Sequence, residues 1–351
     1  MSFHRLSLIA ACWVVAASAA ASASVRPIVP VPADAHAAFS YQYLPLPDSR
    51  FVPINVVAAS DGSLWIDAQA RVPCGPSRIC DVRRFGRVAG GQITLWSFPS
   101  EGGYQSVSAG PQGTAWLVSG TYLYVFDATG TLVAKYAVPT ASYTLTAPAL
   151  GSDGRMWLTD FEGGLFAVTS SGNVTTYSCP GFCGAVTAGR GGMMWGGGLD
   201  KSYQGFVFSA TTNGVVHEYG GGGENVITGP GSHLESLVSM YQLDSINAHE
   251  QFVPLANLQS LGLDQVVAFS ASQSGIWFVG TKNNEAQAIA GTVSLKGTVR
   301  SEPFANVPCN ETWVYFSALT QGSDGAMYGG YGCGDKTGTH AGFLARVAPK
   351  G

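Results

Sequence analysis

The residues that could do chemistry in this chain are a scatter of acids and aromatics. Asp67, Asp160, Glu162, Asp200 and Asp335 fall in irregular segments between apolar runs, and Lys201 follows Asp200. Tyr104, Tyr143, Trp313 and Tyr331 occupy similar places, with Phe161 and Phe182 among them. Carboxylates hold divalent metals or move protons. Aromatic faces receive sugars, peptides and cations. Two uses follow. One is a binding surface for a small molecule, a glycan or a peptide. The other is a metal-assisted lyase or hydrolase working through Asp67, Asp160 or Asp335. Three converging carboxylates would favour the enzyme, and a broad aromatic groove without them the binding module. A structural envelope protein is a third reading.

The histidines add little. His217 precedes Glu218 and reads as solvated, His233 and His249 fall in a degenerate stretch, and His340 opens a late strand. No two have metal-ligand spacing, so no metal site and no cofactor is expected. Cys74, Cys80, Cys179, Cys183, Cys309 and Cys333 follow an export signal, and an even number there reads as disulfides. Cys179 and Cys183 have the spacing of a metal-ligand pair but lack a second pair nearby.

The elements that must position these residues are repeats. Ser60-Asp61-Gly62-Ser63-Leu64-Trp65 returns as Pro111-Gln112-Gly113-Thr114-Ala115-Trp116 and as Ser152-Asp153-Gly154-Arg155-Met156-Trp157. Further copies end at Trp195, Trp277 and Tyr328. The interval from Trp195 to Trp277 is two periods, and Gly229-Pro230-Gly231-Ser232-His233-Leu234 fills it with Leu234 in the aromatic place. That makes seven copies. Each has short alternating strands joined by Asp-Gly or Ser-Gly turns, four strands every 40 to 50 residues or so, which is the grammar of a β-propeller. The last copy stops after its third strand at Ala341–Val347, and residues 39–47 look like an orphan fourth strand. The expected fold is therefore all-β, a seven-bladed β-propeller closed by an N-terminal strand completing the C-terminal blade. One aromatic per copy reads as packing between sheets, and Asp61, Asp153 and Asp324 read as turn caps.

Residues 1–24 have a basic start, an apolar run from Leu6 to Ala20 and small residues Ala21 to Ser24. This is the pattern of a secretory signal peptide. The run is short for a membrane anchor, and the residues after Cys12 are too apolar for a lipoprotein. Residues 25–38, with Pro27, Pro30 and Pro32, read as a linker. Residues 39–351 form one propeller domain, secreted or periplasmic after cleavage, with no membrane span in the mature chain. Charged residues are 11% of the chain, net charge is −4, and no basic run exists. Nucleic acid is excluded as a partner, since it needs a Lys/Arg patch.

The repeat also resembles a known family. Asp61 to Trp65 with Phe85-Gly86-Arg87-Val88, and the stretch from Gly151 to Pro180, are similar to the repeats of the streptogramin lyase (virginiamycin B lyase) group of seven-bladed propellers. The resemblance covers roughly residues 39–349. It implies a lyase that opens a cyclic depsipeptide by elimination, with a histidine base, a glutamate and a magnesium ion at the central face. In that group the histidine lies in a Pro-His-Gly-hydrophobic element opening an inner strand. The matching openings here are Pro53-Ile54-Asn55-Val56, Tyr104-Gln105-Ser106-Val107, Tyr143-Thr144-Leu145, Gly184-Ala185-Val186 and Trp313-Val314-Tyr315, and none contains histidine. The Thr-Glu that often follows the Trp strand is replaced by Asp67 and by Thr159-Asp160. Proton abstraction then has no evident agent. The expectation is an exported binding propeller of unknown ligand.

In such a fold, connections after the second strand and before the first share one face, and the tight hairpin turns share the other. The first set is expected to be long and variable: residues 68–82, 160–163, 199–203, 281–287 and 331–339. All six mature cysteines fall on that side, which gives the pairs Cys74–Cys80, Cys179–Cys183 and Cys309–Cys333. These ties either hold a binding shape or merely secure long loops.

Overall fold

The computed structural model describes residues 38–350 apart from 76–77, 100–105, 141, 143, 221–224, 229–233, 238–240, 248, 250, 273–274, 284–285, 310–312 and 336–337. The signal peptide and nearly all of the linker expected from the sequence lie outside the described residues. Alternating apolar residues bounded by glycine turns form strands, and the strands form an all-β propeller. Among the described residues seven four-stranded antiparallel sheets are present. Six consist of consecutive strands within residues 52–97, 106–137, 149–178, 182–220, 225–257 and 265–303. The seventh holds Trp313–Gln321, Met327–Asp335 and Gly338–Pro349, and its outer strand is Phe39–Pro45 from the other end of the chain. Tyr43 lies opposite Ala345, and Leu44 opposite Leu344. The second strand of the fifth sheet, Leu234–Leu237, opens at the residue that the spacing puts in the aromatic place. Among the described residues no helix is long and apolar enough to cross a membrane.

The core is a series of apolar layers between neighbouring sheets. Trp65 and Phe85 of the first sheet pack with Leu117 and Phe126 of the second. Trp116 and Val125 pack with Met156 and Phe166 of the third. Trp157 meets Met194 and Phe208 of the fourth, and Trp195 meets Val226 and Ile246 of the fifth. Leu243 joins the fifth to Ile276 and Phe278 of the sixth, and Trp277 joins the sixth to Phe316 and Met327 of the seventh. Leu344 of the seventh packs with Val56 and Leu64 of the first. The five tryptophans are at most 2% exposed. Burial at this seam, as expected from one aromatic per copy, is what holds each sheet to the next.

The structure corrects one expectation. Residues 68–82, 281–287 and 331–339 are largely strand, not irregular loop. Leu64–Gly75 pairs with Arg78–Ala89 almost to its tip, Gly275–Lys282 pairs with Gln287–Val293, and Met327–Asp335 pairs with Gly338–Pro349. Beyond the core a two-stranded ribbon needs backbone pairing but no apolar face. Arg71 and Asp81, with side chains 63% and 59% exposed, form such a surface rung. The long hairpins belong to the sixth, seventh and first sheets, so one side of this face is raised. In the second, third and fourth sheets the same connection is a tight turn.

The opposite face carries the Asp-Gly turns. Asp61 accepts the Ser63 N–H at 3.0 Å, Asp153 the Arg155 N–H at 3.0 Å and Asp324 the Ala326 N–H at 3.1 Å. Each also takes a guanidinium, from Arg87 at 2.6 Å, Arg155 at 2.7 Å and Arg346 at 2.8 Å. The Ser63 hydroxyl, more than the slight burial opposing it, holds the Asp61 carboxyl below its ordinary value, with Arg87 adding to the effect. Burial, the largest single influence, pushes Asp153 and Asp324 upward, but hydrogen bonds from Arg155 and Trp157 to the first, and from Arg346, Tyr328 and the Ala326 N–H to the second, together outweigh it and both end low. A carboxyl lowered by folding stabilises the protein above its unfolded pKa, and that stability is lost as pH falls through the folded value. Stability should therefore decline below about pH 4. Thermal melts between pH 6 and 2.5 should fall less steeply for the triple variant Asp61→Asn, Asp153→Asn, Asp324→Asn. Parallel curves would show that the turn carboxylates carry no acid sensitivity.

Candidate functional site

Because strands alternate in direction, the connections after second strands and those entering first strands emerge at one edge. All three disulfides lie there, paired as expected: Cys74–Cys80 at the first hairpin tip, Cys179–Cys183 at the crossing from third to fourth sheet, and Cys309–Cys333 beside the seventh. Their Cα atoms are 5.8, 6.4 and 6.4 Å apart.

The most fully built part of this face joins the third and fourth sheets. In the third, Asp160 closes the turn to Gly164. Its Oδ1 accepts N–H groups from Glu162 at 3.0 Å and Gly164 at 2.6 Å, and its Oδ2 accepts the Thr140 hydroxyl at 2.5 Å. In the fourth, Asp200 does the same, accepting N–H groups from Ser202 at 2.7 Å and Gln204 at 2.9 Å. These are turns in which an aspartate substitutes for backbone pairing. Between them lies the loop Cys179-Pro180-Gly181-Phe182-Cys183. The Cys179 N–H donates to the Gly163 carbonyl at 2.8 Å. A Cβ on Gly181 would stand 2.5 Å from the Leu199 carbonyl oxygen, so the loop rests directly on the second turn. Both turns and the disulfide loop thus form one block.

The two turns differ at one telling place. Their fourth residue is left-handed in both, Gly163 at φ +92° and Tyr203 at φ +60°. Glycine takes that conformation freely, whereas a side chain costs about 1–2 kcal/mol. Tyr203 is nonetheless present, 63% exposed. Its ring is nearly parallel to that of half-buried Phe182, with centroids 6.2 Å apart and planes 15° apart. Phe161 is also exposed, at 39%. Sequence reasoning missed Tyr203. Aligning Asp160-Phe161-Glu162-Gly163-Gly164 with Asp200-Lys201-Ser202-Tyr203-Gln204 would have found it.

Of the residues expected at the ligand face, Asp160, Glu162, Asp200 and Lys201 meet in this block. Asp67 is elsewhere, 1% exposed and 3.6 Å from Arg83, opposite Asn55 on the first strand. Tyr331 is 1% exposed and packs against Tyr43, Phe304 and Phe316. It is a core side chain between the sixth and seventh sheets, and burial pushes its phenol upward. Tyr104 and Tyr143 lie outside the described residues. Trp313 and Asp335 lie in strands of the seventh sheet, with side chains outside the described set. His217 and His249 are exposed. Among the described residues no three His, Cys, Asp or Glu side chains converge as a metal site.

Solved structures match this arrangement. Virginiamycin B lyase from Staphylococcus aureus is 13% identical, with a TM-score of 0.67 over 89% of this chain and 100% of that one. The chain shares its fold with the streptogramin B lyases. A second streptogramin B lyase structure is 14% identical, with a TM-score of 0.66 over 89% and 98%. YCF48 bound to D1 peptide is 12% identical, with a TM-score of 0.57 over 92% and 98%. Identities this low speak for the fold alone. No family model and no curated protein sequence matches the chain. The first strands of the first, fourth, sixth and seventh sheets each carry an irregularity in register, between Pro53 and Asn55 in the first, Cys183 and Val186 in the fourth, Val266 and Ala268 in the sixth, and Ser317 and Thr320 in the seventh. Bulges of this kind re-aim side chains, yet no histidine stands in any of the four strands.

Proposed function

We propose that this chain is an exported, closed seven-bladed propeller that binds a small molecule, glycan or peptide on its loop face without transforming it. One observation carries the reading: three of the described carboxylates on or near that face are already occupied. Asp160 is held by two N–H groups and a hydroxyl, Asp200 by two N–H groups, and Asp67 by Arg83. Groups so bound serve as turn and core partners rather than as proton carriers. Ring closure is supported by the apolar layer joining the seventh sheet to the first and by the pairing of residues 39–45 with the end of the chain. Export is supported by the pattern of residues 1–24 and by three disulfides.

The test is incubation of the purified mature chain with a streptogramin B depsipeptide and magnesium, followed by mass spectrometry. The ring-opened product should not rise above the protein-free control. Product formed in proportion to protein would sink the non-catalytic reading.

A further inference from the structure

We propose that the Phe182–Tyr203 pair is a stacking site for an organic cation, of the quaternary ammonium or guanidinium kind. The inference rests on the reading of this face as the ligand side. Both rings are fixed before any ligand arrives. Phe182 sits inside the loop closed by Cys179 and Cys183, and that loop lies on the Leu199–Asp200 backbone at Gly181. Tyr203 is the left-handed residue of a turn that Asp200 closes with two hydrogen bonds. The neighbouring turn forms the same bonds with glycine in that place, so the turn itself does not require tyrosine. At 63% exposure the ring returns little burial. What it presents to solvent is an aromatic face beside a partner ring.

Charge decides the class of ligand. The block contains three carboxylates, Asp160, Glu162 and Asp200, against the single ammonium of Lys201. Glu162 and Lys201 are exposed. The face of an aromatic ring is the negative part of its quadrupole, and carboxylates around it reinforce attraction for a cation. A neutral sugar would use the apolar face but gain nothing from the excess of negative charge. An anion would be opposed by both. The rigid rings also lower the entropy lost on binding.

The experiment titrates the mature protein with choline, with its neutral isostere 3,3-dimethylbutanol and with methyl α-glucoside, followed by NMR shifts of the Phe182 and Tyr203 ring protons. Choline should shift these signals and bind about threefold tighter than the isostere, the ratio a solvent-exposed cation–π contact gives. Tyr203→Gly should weaken choline about threefold while melting no lower than the parent, because it restores the residue that the third sheet uses. Phe182→Leu should weaken it too. Equal binding of the isostere, preference for the glucoside, absence of choline shifts, or full retention by Tyr203→Gly would each overturn the proposal. None of those results bears on depsipeptide opening, so the two readings fail separately.

Discussion

A chain lacking residues 41–46 should lose its cooperative fold. Phe39–Pro45 is the outer strand of the seventh sheet, and it is tied sideways to the sixth. Glu302 accepts the N–H groups of Ala38 at 2.7 Å and Phe39 at 3.0 Å and the Tyr41 hydroxyl at 3.0 Å. Tyr43 donates to the Ala305 carbonyl at 3.0 Å, and the Phe39 ring lies 4.9 Å from that of Trp277. Burying each large apolar side chain is worth about 1.5–3 kcal/mol. Of the side chains lost, Leu46 is buried and Tyr41, Tyr43 and Leu44 are half-buried, so their removal together with the strand's pairing takes away a large share of the about 5–15 kcal/mol that holds a typical domain folded. It also bares the edge of Gly338–Pro349, an invitation to pair with other chains. Circular dichroism melts and size-exclusion chromatography should show a broad transition and aggregates. Gln42→Ala, at an exposed place in the same strand, should behave like the parent. A truncated chain that melts at the parental temperature would refute the role given to this strand.

Substituting the glycines at the seam between the seventh and first sheets should have the next largest effect. A Cβ on Gly342 would fall on the carbonyl oxygen of Phe51, and one on Gly330 on that of Pro53. Both obstacles are backbone, which cannot swing aside as a side chain can. The Gly342 N–H also donates to Ser49 at 2.9 Å, and the Ser317 hydroxyl donates to Pro53, so the two sheets are pinned at the distance a methyl group would widen. Overpacking of this kind costs about 3 kcal/mol, a fall in Tm of about 5 °C for a domain of this size. Gly330→Ala and Gly342→Ala should each show it in calorimetry. Gly220→Ala, with open space around it, should stay within about 2 °C of the parent. Seam variants indistinguishable from Gly220→Ala would mean the sheets are not in backbone contact there.

The repeat was legible because each copy repeats one need, an aromatic to fill the gap to the next sheet. Trp65, Trp116, Trp157, Trp195 and Trp277 mark it at regular intervals, and even the fifth sheet opens its second strand where the interval puts Leu234. The cysteine pairs were legible because strand alternation sends each pair to one edge. What escaped was local backbone behaviour. Gln69-Ala70-Arg71-Val72 and its partner Cys80-Asp81-Val82-Arg83 pair as strand, yet their mixed composition reads as loop, although Ala70 and Val72 on one side of the ribbon still pack with Leu46 and Phe51. Tyr331 reads as a ligand-face aromatic because residues 331–339 read as a loop, but it lies in a strand where Phe316 and Phe304 pack against its ring. Asp160 and Asp200 read as chemistry because acids in loops invite that reading, and only the hydrogen bonds reveal them as turn closures. Tyr203 carried no signal of its own, since a left-handed tyrosine looks like any other in one dimension.

The seventh sheet has a bearing on how the protein is made. Phe39 pairs with Pro349, so a ribosome emits one member of the pair near the start of synthesis and the other about 300 residues later. Contacts so distant along the chain are slow to form. The six continuous sheets can gather as they emerge, but the last cannot be completed until residues 338–349 have followed. Nascent chains stalled before residue 338 should therefore remain protease-sensitive at residues 39–45, and emergence of residues 338–349 should time the acquisition of the native state.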